Sequence, residues 1–521
     1  MPPWLPEAGY GDFADERRLS GDEIRLIEQW VRDGAPEGPP TDAPAPPPFS
    51  GGWQLGKPDL VMEATRAVSI PATGPDVFWN FVFSPEIKTL HYVRAIEINP
   101  GSGGDLVHHA NVILDPARTG RQQETSPGEG FPGMDLMLAH SPLEIPSHFL
   151  FWKPGAKPWV EPPGLAWKLT PGTDLVLNAH FMPMGMSMEV KPSIGLYFTD
   201  TPPNRFPMLI ELENDEALDI PAGKSDFTVT DEFRLPVDVN VLAVYPHAHY
   251  LGHLLEGYAT LPDGERKWLI RIPDWNPDWQ AVYHYRKPVV LPKGTVLTMR
   301  YSFDNSRANP RNPHAPPKRV VGGNEATDEM AHLWLQVLPL GSAEERVQIE
   351  TALLEHRVEK DSGDFPSRLA LGVLLLARLD PAGAVKVLEQ AVKLDPKQEE
   401  ARRYLGMSLQ AVGRTGEATE QLAIAVGLDP EDAQARYNLA RLLIKSGKVG
   451  EAVAIFRTIV LRAPKNAQYR KELGELLLQQ NKPAEALEQF DAALVLDPSL
   501  QSAFVDRERA QAMLHAPRGE P

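Results

Sequence analysis

Four prolines set a period. Pro396, Pro430, Pro464 and Pro498 are each 34 residues apart. Gly372, Gly406, Ala440 and Gly474 keep the interval, as do Ala384, Ala418, Ala452 and Ala486, and Leu371, Leu405, Leu439 and Leu473. A repeat of this length with small residues at two fixed points predicts stacked pairs of antiparallel helices. The small residues let the paired helices approach, and the proline ends the second of them. Such a stack is a solenoid with open ends, so residues 499–515 are expected to form a solvating cap helix.

This spacing resembles the tetratricopeptide repeat over about 363–498. The resemblance implies a concave surface for a protein partner. The rest of the chain is of another kind. Of 52 prolines, 43 precede residue 341, and all 11 tryptophans lie at or before Trp334. Proline and tryptophan density suits strands and turns. "TDLVLNAHF" (173–181) alternates Leu175, Leu177, Ala179 and Phe181 against Val176, Asn178 and His180, and "TVLTMRYSF" (295–303) alternates likewise. "LPDGE" (261–265) reads as a turn between strands. Nearly 290 residues are long for one sandwich, so two are expected, meeting near "DTPPN" at 200–204.

The chain has no cysteine, which excludes disulfides, thiolate metal sites and a cysteine nucleophile. A formal net charge of −18 runs against a phosphate-tracking nucleic-acid binder. No apolar run is long enough for a transmembrane helix.

Twelve of 14 histidines fall between His91 and His332. They form three clusters: His108 and His109, then His180, then His247 and His249. An H-x-H on a strand puts both rings on one face, as a shared metal requires. Adjacent His108 and His109 converge only at a strand end or a bulge. Met182, Met184, Met186 and Met188 alternate and are expected to pack on one strand face, with a soft copper(I) loading site as the other reading. His253 is a candidate neighbour of the H-x-H. His91, His140, His148, His284, His314 and His332 have no ligand-like context.

The order of these clusters is similar to that of the copper type II, ascorbate-dependent monooxygenases over about 60–340. The landmarks "WKPG" (152–155), "DWQAVYHY" (278–285), "LPKGT" (291–295), "YSFDNS" (301–306) and "TDEMAHLWL" (327–335) carry the resemblance. It implies two jelly-roll sandwiches and two copper ions. One is held by His108, His109 and His180, the other by His247, His249 and Met330, where O2 and the substrate C–H would meet. One oxygen atom enters the C–H bond and the other ends as water, with ascorbate or another reductant supplying electrons. A thioether ligand favours Cu(I) and argues against zinc. Two positions depart from the family. Tyr245 stands where the peptide-amidating member has a carboxylate-binding arginine, which argues against a peptidylglycine substrate. Asn178 replaces a glutamine and is a candidate hydrogen-bonding neighbour of His180.

The first residues read differently again. Ser20 and Glu23 form a capping box for one helix, closed by Gly34 and Pro36. Seven prolines follow in 36–48. "MPPW…GYGDFADERRLSGDEIRLIEQWVRDGAPEG" resembles the C-terminal part of a bacterial c-type cytochrome domain. Its C-x-x-C-H is missing, so the expectation is an internal start, with haem c on an upstream segment and an export signal before it.

The expected order is therefore a cytochrome-like remnant (1–35), a proline-rich linker (36–52), two all-β jelly-roll sandwiches (53–202 and 203–342) and an all-α tetratricopeptide solenoid (343–515). The expected function is an exported, periplasmic copper monooxygenase acting on a small or peptide-like substrate. The competing reading is a non-enzymatic copper-binding or assembly protein that uses the repeats as a scaffold. A hydrolase with zinc on three histidines ranks last, for want of a glutamate base beside them.

Overall fold

The computed structural model describes residues 4–39, 41, 52–134 and 147–515. The chain divides into two units, Met1–Leu353 and Leu354–Pro521. Most of the proline-rich linker, Met1–Pro3 and His140 lie outside the described residues.

The first unit holds two β-sandwiches. In the first, a four-stranded sheet runs in the order Leu60–Glu63, Ser193–Thr199, His91–Asn99, Trp167–Leu169. It faces a five-stranded sheet of Phe131–Pro132, Val77–Phe83, Asp174–Phe181, Val107–Asp115 and Phe151–Trp152. The predicted alternation is realised: Leu175, Leu177, Ala179 and Phe181 enter the core with Val93, Leu169, Ile194 and Leu196. The opposite face of the same strand carries Asn178 and His180, and these are buried too.

The second sandwich repeats the plan. Met208–Glu213, His332–Pro339, Val239–His247 and Tyr283–Leu291 form one sheet. Phe227–Arg234, Val296–Phe303, Gly252–Thr260 and Arg266–Ile272 form the other. Leu255, Met299, Tyr301, Leu333 and Val337 fill the space between them. Ile349 and Leu353, on the helix Ala343–Lys360, join that core.

The N-terminal segment is built into this second sandwich. Phe13 is 2% exposed, bridges to Tyr285 and stacks on its ring. Trp4 meets Phe13 and Tyr283 edge-on, and Glu7 pairs with Arg271. The helix Gly21–Arg32 forms its capping box as predicted, with both Ser20–Glu23 bonds present. It buries none of its residues.

The second unit is the helical array. Its pairs are Phe365–Ala377 with Pro381–Leu394, Glu399–Ala411 with Thr415–Leu428, Ala433–Lys445 with Val449–Arg462, and Ala467–Gln479 with Pro483–Leu496. Each periodic proline lies two residues past a second helix. The glycines sit where helices touch: a Cβ on Gly406 or Gly474 would stand 2.6 Å from Leu422 or Phe490. The helix Gln501–His515 buries Ala503 and Ala510, but its outer side shows Phe504 and Val505 as well as polar residues.

Candidate metal centre

The first three histidines converge. Val107 pairs with Phe181 and His109 with His180, so His108 is the extra residue of a β-bulge. That bulge turns two adjacent imidazoles to one side, as their adjacency demands. The Nδ1 atoms of His108 and His180 are 3.2 Å apart, as are those of His109 and His108. An ion about 2.0 Å from each nitrogen needs ligand atoms about 3.3 Å apart at a tetrahedral edge.

One outer nitrogen is anchored, and a second faces a carboxylate beyond hydrogen-bond range. Asp76 sits 2.8 Å from His180 Nε2, and Asp278 lies 3.6 Å from His108 Nε2. Phe78 stacks on His180 at 4.3 Å. A carboxylate on the far nitrogen fixes ring orientation and raises ligand basicity. Burial pushes His108 down to about 4 and His109 well below the usual histidine range, so both keep a lone pair at neutral pH.

The second group lies at the end of the Val239–His247 strand. His247 pairs across with His332, the last pair of that register, and His249 and Met330 lie two residues beyond these strand ends. The buried Glu329 carboxylate ties this corner together. Its Oε1 accepts from the backbone N–H groups of both His249 and Met330, and its Oε2 from that of Leu251. His247 Nδ1 lies 2.8 Å from Gln280 Oε1, and His249 Nδ1 lies 3.1 Å from the Asp328 carbonyl. Each Nδ1–H therefore has an oxygen acceptor, which leaves both Nε2 lone pairs free. Burial lowers both rings' pKa, keeping them neutral. Met330 is 6% exposed.

His332 has a different task. Its Nδ1 is 3.0 Å from Glu211 and its Nε2 2.8 Å from Asp215. Burial alone would lower its pKa, but the two carboxylates overcome that and push it up to about 10. Glu211, Glu213 and His332 form a metal-like cluster, yet a protonated ring bonded at both nitrogens has no lone pair for an ion. Asp215 also takes the Ala331 N–H, fixing the chain beside Met330.

The remaining expected residues fall as follows. Tyr245 donates to Gln280 at 2.9 Å, one bond away from His247. Asn178 donates to Asn80 at 2.7 Å and lies 3.5 Å from the Gly133 carbonyl, so its amide turns to the neighbouring strand and turn, not to His180. His253 is exposed. The alternating methionines do not share a strand face: strands end at Phe181 and resume at Met188, Gly185 takes a positive φ of 84°, and Met184 and Met186 are 63% and 66% exposed. Sequence reasoning does not single out Gln280, Glu329, Asp76 or Asp215. Two landmarks offer a signal: "DWQAVYHY" contains Gln280 and "TDEMAHLWL" contains Glu329.

Both groups face the junction of the sandwiches. Phe151 lies between His109 and Tyr245, with ring centroids 5.7 and 5.1 Å away. Phe151 also walls a cavity of about 160 Å³, lined further by Trp159, Trp167, Lys153, Glu161 and His284. Burial raises Glu161 to about 8 and lowers His284 to about 3.

Residues 210–349 match the family model of the copper type II ascorbate-dependent monooxygenase C-terminal domain. Residues 369–410, 405–467 and 437–500 match the tetratricopeptide repeat. The fusion of these two modules is thus present in the chain. No curated protein matches it by sequence. Similar solved structures include YrrB, a tetratricopeptide protein with an unusual peptide-binding site (20% identity, 32% of this chain and 86% of that one, TM-score 0.30). MamA (20% identity, 30% and 91%, TM-score 0.29) and a MamA fragment from Desulfovibrio magneticus RS-1 (19% identity, 29% and 90%, TM-score 0.26) are similar over comparable spans. No helix among the described residues is long and apolar enough to cross a membrane.

Proposed function

We propose that the chain is a copper-dependent monooxygenase that hydroxylates a C–H bond, with a helical array that binds a protein partner. The observation that carries this reading is the donor chemistry. An all-imidazole set and an imidazole–thioether set, on separate sandwiches, face one junction. The donors fit copper: His108 Nδ1 stands 3.2 Å from the Nδ1 atoms of His109 and His180, and His247 and His249 keep Nε2 free at a corner whose backbone also carries the buried, soft Met330. The match of 210–349 to a monooxygenase domain supports the same reading.

His108, His109 and His180 would hold one ion, and His247, His249 and Met330 the other. Copper, when bound, supplies the one-electron and O2 chemistry that no side chain has. The protein's part is positional. Asp76 steadies the His180 ring, and Gln280 and the Asp328 carbonyl hold the second pair in the tautomer that presents Nε2. Phe151 and Tyr245 line the junction with aromatic rings. One oxygen atom would go to the substrate and one to water, with two protons from solvent and two electrons from ascorbate or another reductant, or one at a time from a c-type haem. The reading also places the protein outside the cytoplasm, in the periplasm, which cell fractionation checks.

Reconstitution of the metal-free full chain with Cu(I) tests the proposal. Two coppers per chain are expected, falling to one in Met330→Ala, together with ascorbate-dependent O2 uptake in the presence of a hydroxylatable substrate. Binding of a single ion, or a preference for zinc, overturns it. Two coppers without O2 uptake across a panel of amines, amides and aromatics would favour the binding-protein alternative.

A further inference from the structure

Gln280 belongs to neither donor set, yet it touches both. It follows the short turn Pro277–Trp279 and is 2% exposed. Its Oε1 lies 2.9 Å from the Tyr245 hydroxyl and 2.8 Å from His247 Nδ1. Its Nε2 stands 3.3 Å from His109 Nδ1, on the other sandwich. A carboxamide oxygen has two lone pairs and its nitrogen two hydrogens. The Tyr245 O–H and His247 N–H fill the oxygen, so the NH2 must turn to His109. Reversing the amide would leave the Tyr245 O–H and His247 N–H facing a donor.

We infer that Gln280 is the positioning residue that couples the two sets in the metal-free protein: one carboxamide sets the His247 tautomer and ties that ring to the His109 Nδ1 lone pair, closing the sandwiches on each other, and an ion held by that lone pair takes the place of the tie. The copper reading enters only through the identity of the ions. Coupling of this kind is reciprocal, so what happens at one set alters the other. Removing the amide leaves the His247 N–H without its acceptor and lets the ring adopt either tautomer, one of which presents N–H to an incoming metal. The junction does not depend on Gln280 for its existence. Trp159 stacks on His284 at 3.6 Å, and Gln336 donates to the Ser147 carbonyl at 2.9 Å, each joining the two sandwiches. A Gln280 variant therefore keeps its fold.

The absence of cysteine makes a direct measurement available. Glu63 and Asp226 lie on different sandwiches, with side chains 62% and 79% exposed. The full-length chain carrying Glu63→Cys and Asp226→Cys takes two spin labels, and pulsed electron paramagnetic resonance reads their separation without metal. A single narrow distance is expected in the parent, and a broader, longer distribution in Gln280→Leu. An unchanged distribution in Gln280→Leu overturns the coupling. Imidazole nitrogen chemical shifts supply a readout that a purely structural role would not move. Gln280→Glu keeps the acceptor for His247 but loses the donor to His109. It should hold the Nδ1–H tautomer of His247 while the label distance broadens. A narrow distance in Gln280→Glu overturns the tie to His109, and a mixed tautomer there overturns the oxygen's role. Cu(I) titration against a chromophoric chelator should show about tenfold weaker binding at the His247 set in Gln280→Leu. A parent chain that takes up no copper defeats the functional reading, while the label distances still decide on Gln280.

Discussion

The two histidine sets stand on sandwiches of one plan but are held by opposite means. The first is made by side chains. A bulge at His108 turns the rings together, and the Asp76 carboxylate steadies His180 from outside. The second is made by the path of the backbone. Glu329 collects three main-chain N–H groups, Asp328 lends a carbonyl, and Asp215 grips the chain through Ala331 and His332. The first set should thus be tunable without harm to the fold, and the second should fail together with its corner of the sandwich.

Glu329→Ala breaks that contrast most sharply. It strands three backbone donors away from water, at about 1–3 kcal/mol each. The second sandwich should lose about 3–9 kcal/mol in denaturant unfolding, and the chain should bind one copper, at the first set. Loss of both sites together would show that the first set also depends on this corner.

Alkali should separate the two sets as well. His332 is raised to about 10 in the folded protein, above its unfolded value. Its stabilising contribution is complete below about pH 6.5 and is lost as pH rises through about 10, an effect on the order of a few kcal/mol. Acid makes no such distinction, because burial lowers His108, His247 and His249 alike. Unfolding midpoints of metal-free protein between pH 6 and 10 should fall further in the parent than in His332→Gln, where buried carboxyls such as Glu161 and Glu329, both raised to about 8, still titrate.

Asp76→Asn tests the tunable side. The ring of His180 keeps a neighbour but loses a charged one. Copper affinity at the first set should drop about 10–100-fold, with the His247 set and the unfolding free energy nearly unchanged. A fall in stability as large as that of Glu329→Ala would erase the contrast between the two sets.

What could be read from sequence follows the same division. The 34-residue period, the alternation around Leu175–Phe181 and the H-x-H pair are local or periodic, so spacing alone exposes them. Even the bulge at His108 follows from the adjacency of two rings. Gln280, Glu329, Asp76 and Asp215 act across 33, 80, 104 and 117 residues of chain, and no period marks them. The methionine run misleads for a related reason. Its alternation is that of a strand, but Gly185 adopts a left-handed conformation and turns the chain inside it. Phe13 is another non-local case, since nothing near it in sequence announces its place in the core of a sandwich formed by residues beyond 207.

The helical array supplies the mildest test, because its order is spread over four like pairs instead of being gathered at one corner. Gly406 shows why the period keeps small residues. A Cβ there would lie 2.6 Å from Leu422 Cγ and 3.3 Å from the Ala418 carbonyl. Gly406→Ala gains about 1 kcal/mol of helix propensity but overpacks the helix contact at a cost of about 1–3 kcal/mol. The two terms nearly offset, so a net loss of about 0–2 kcal/mol is expected, confined to the helical unit. Copper stoichiometry should stay at two while the unfolding of the array shifts. A loss of copper in Gly406→Ala would mean that the array and the donor sets do not hold their order independently.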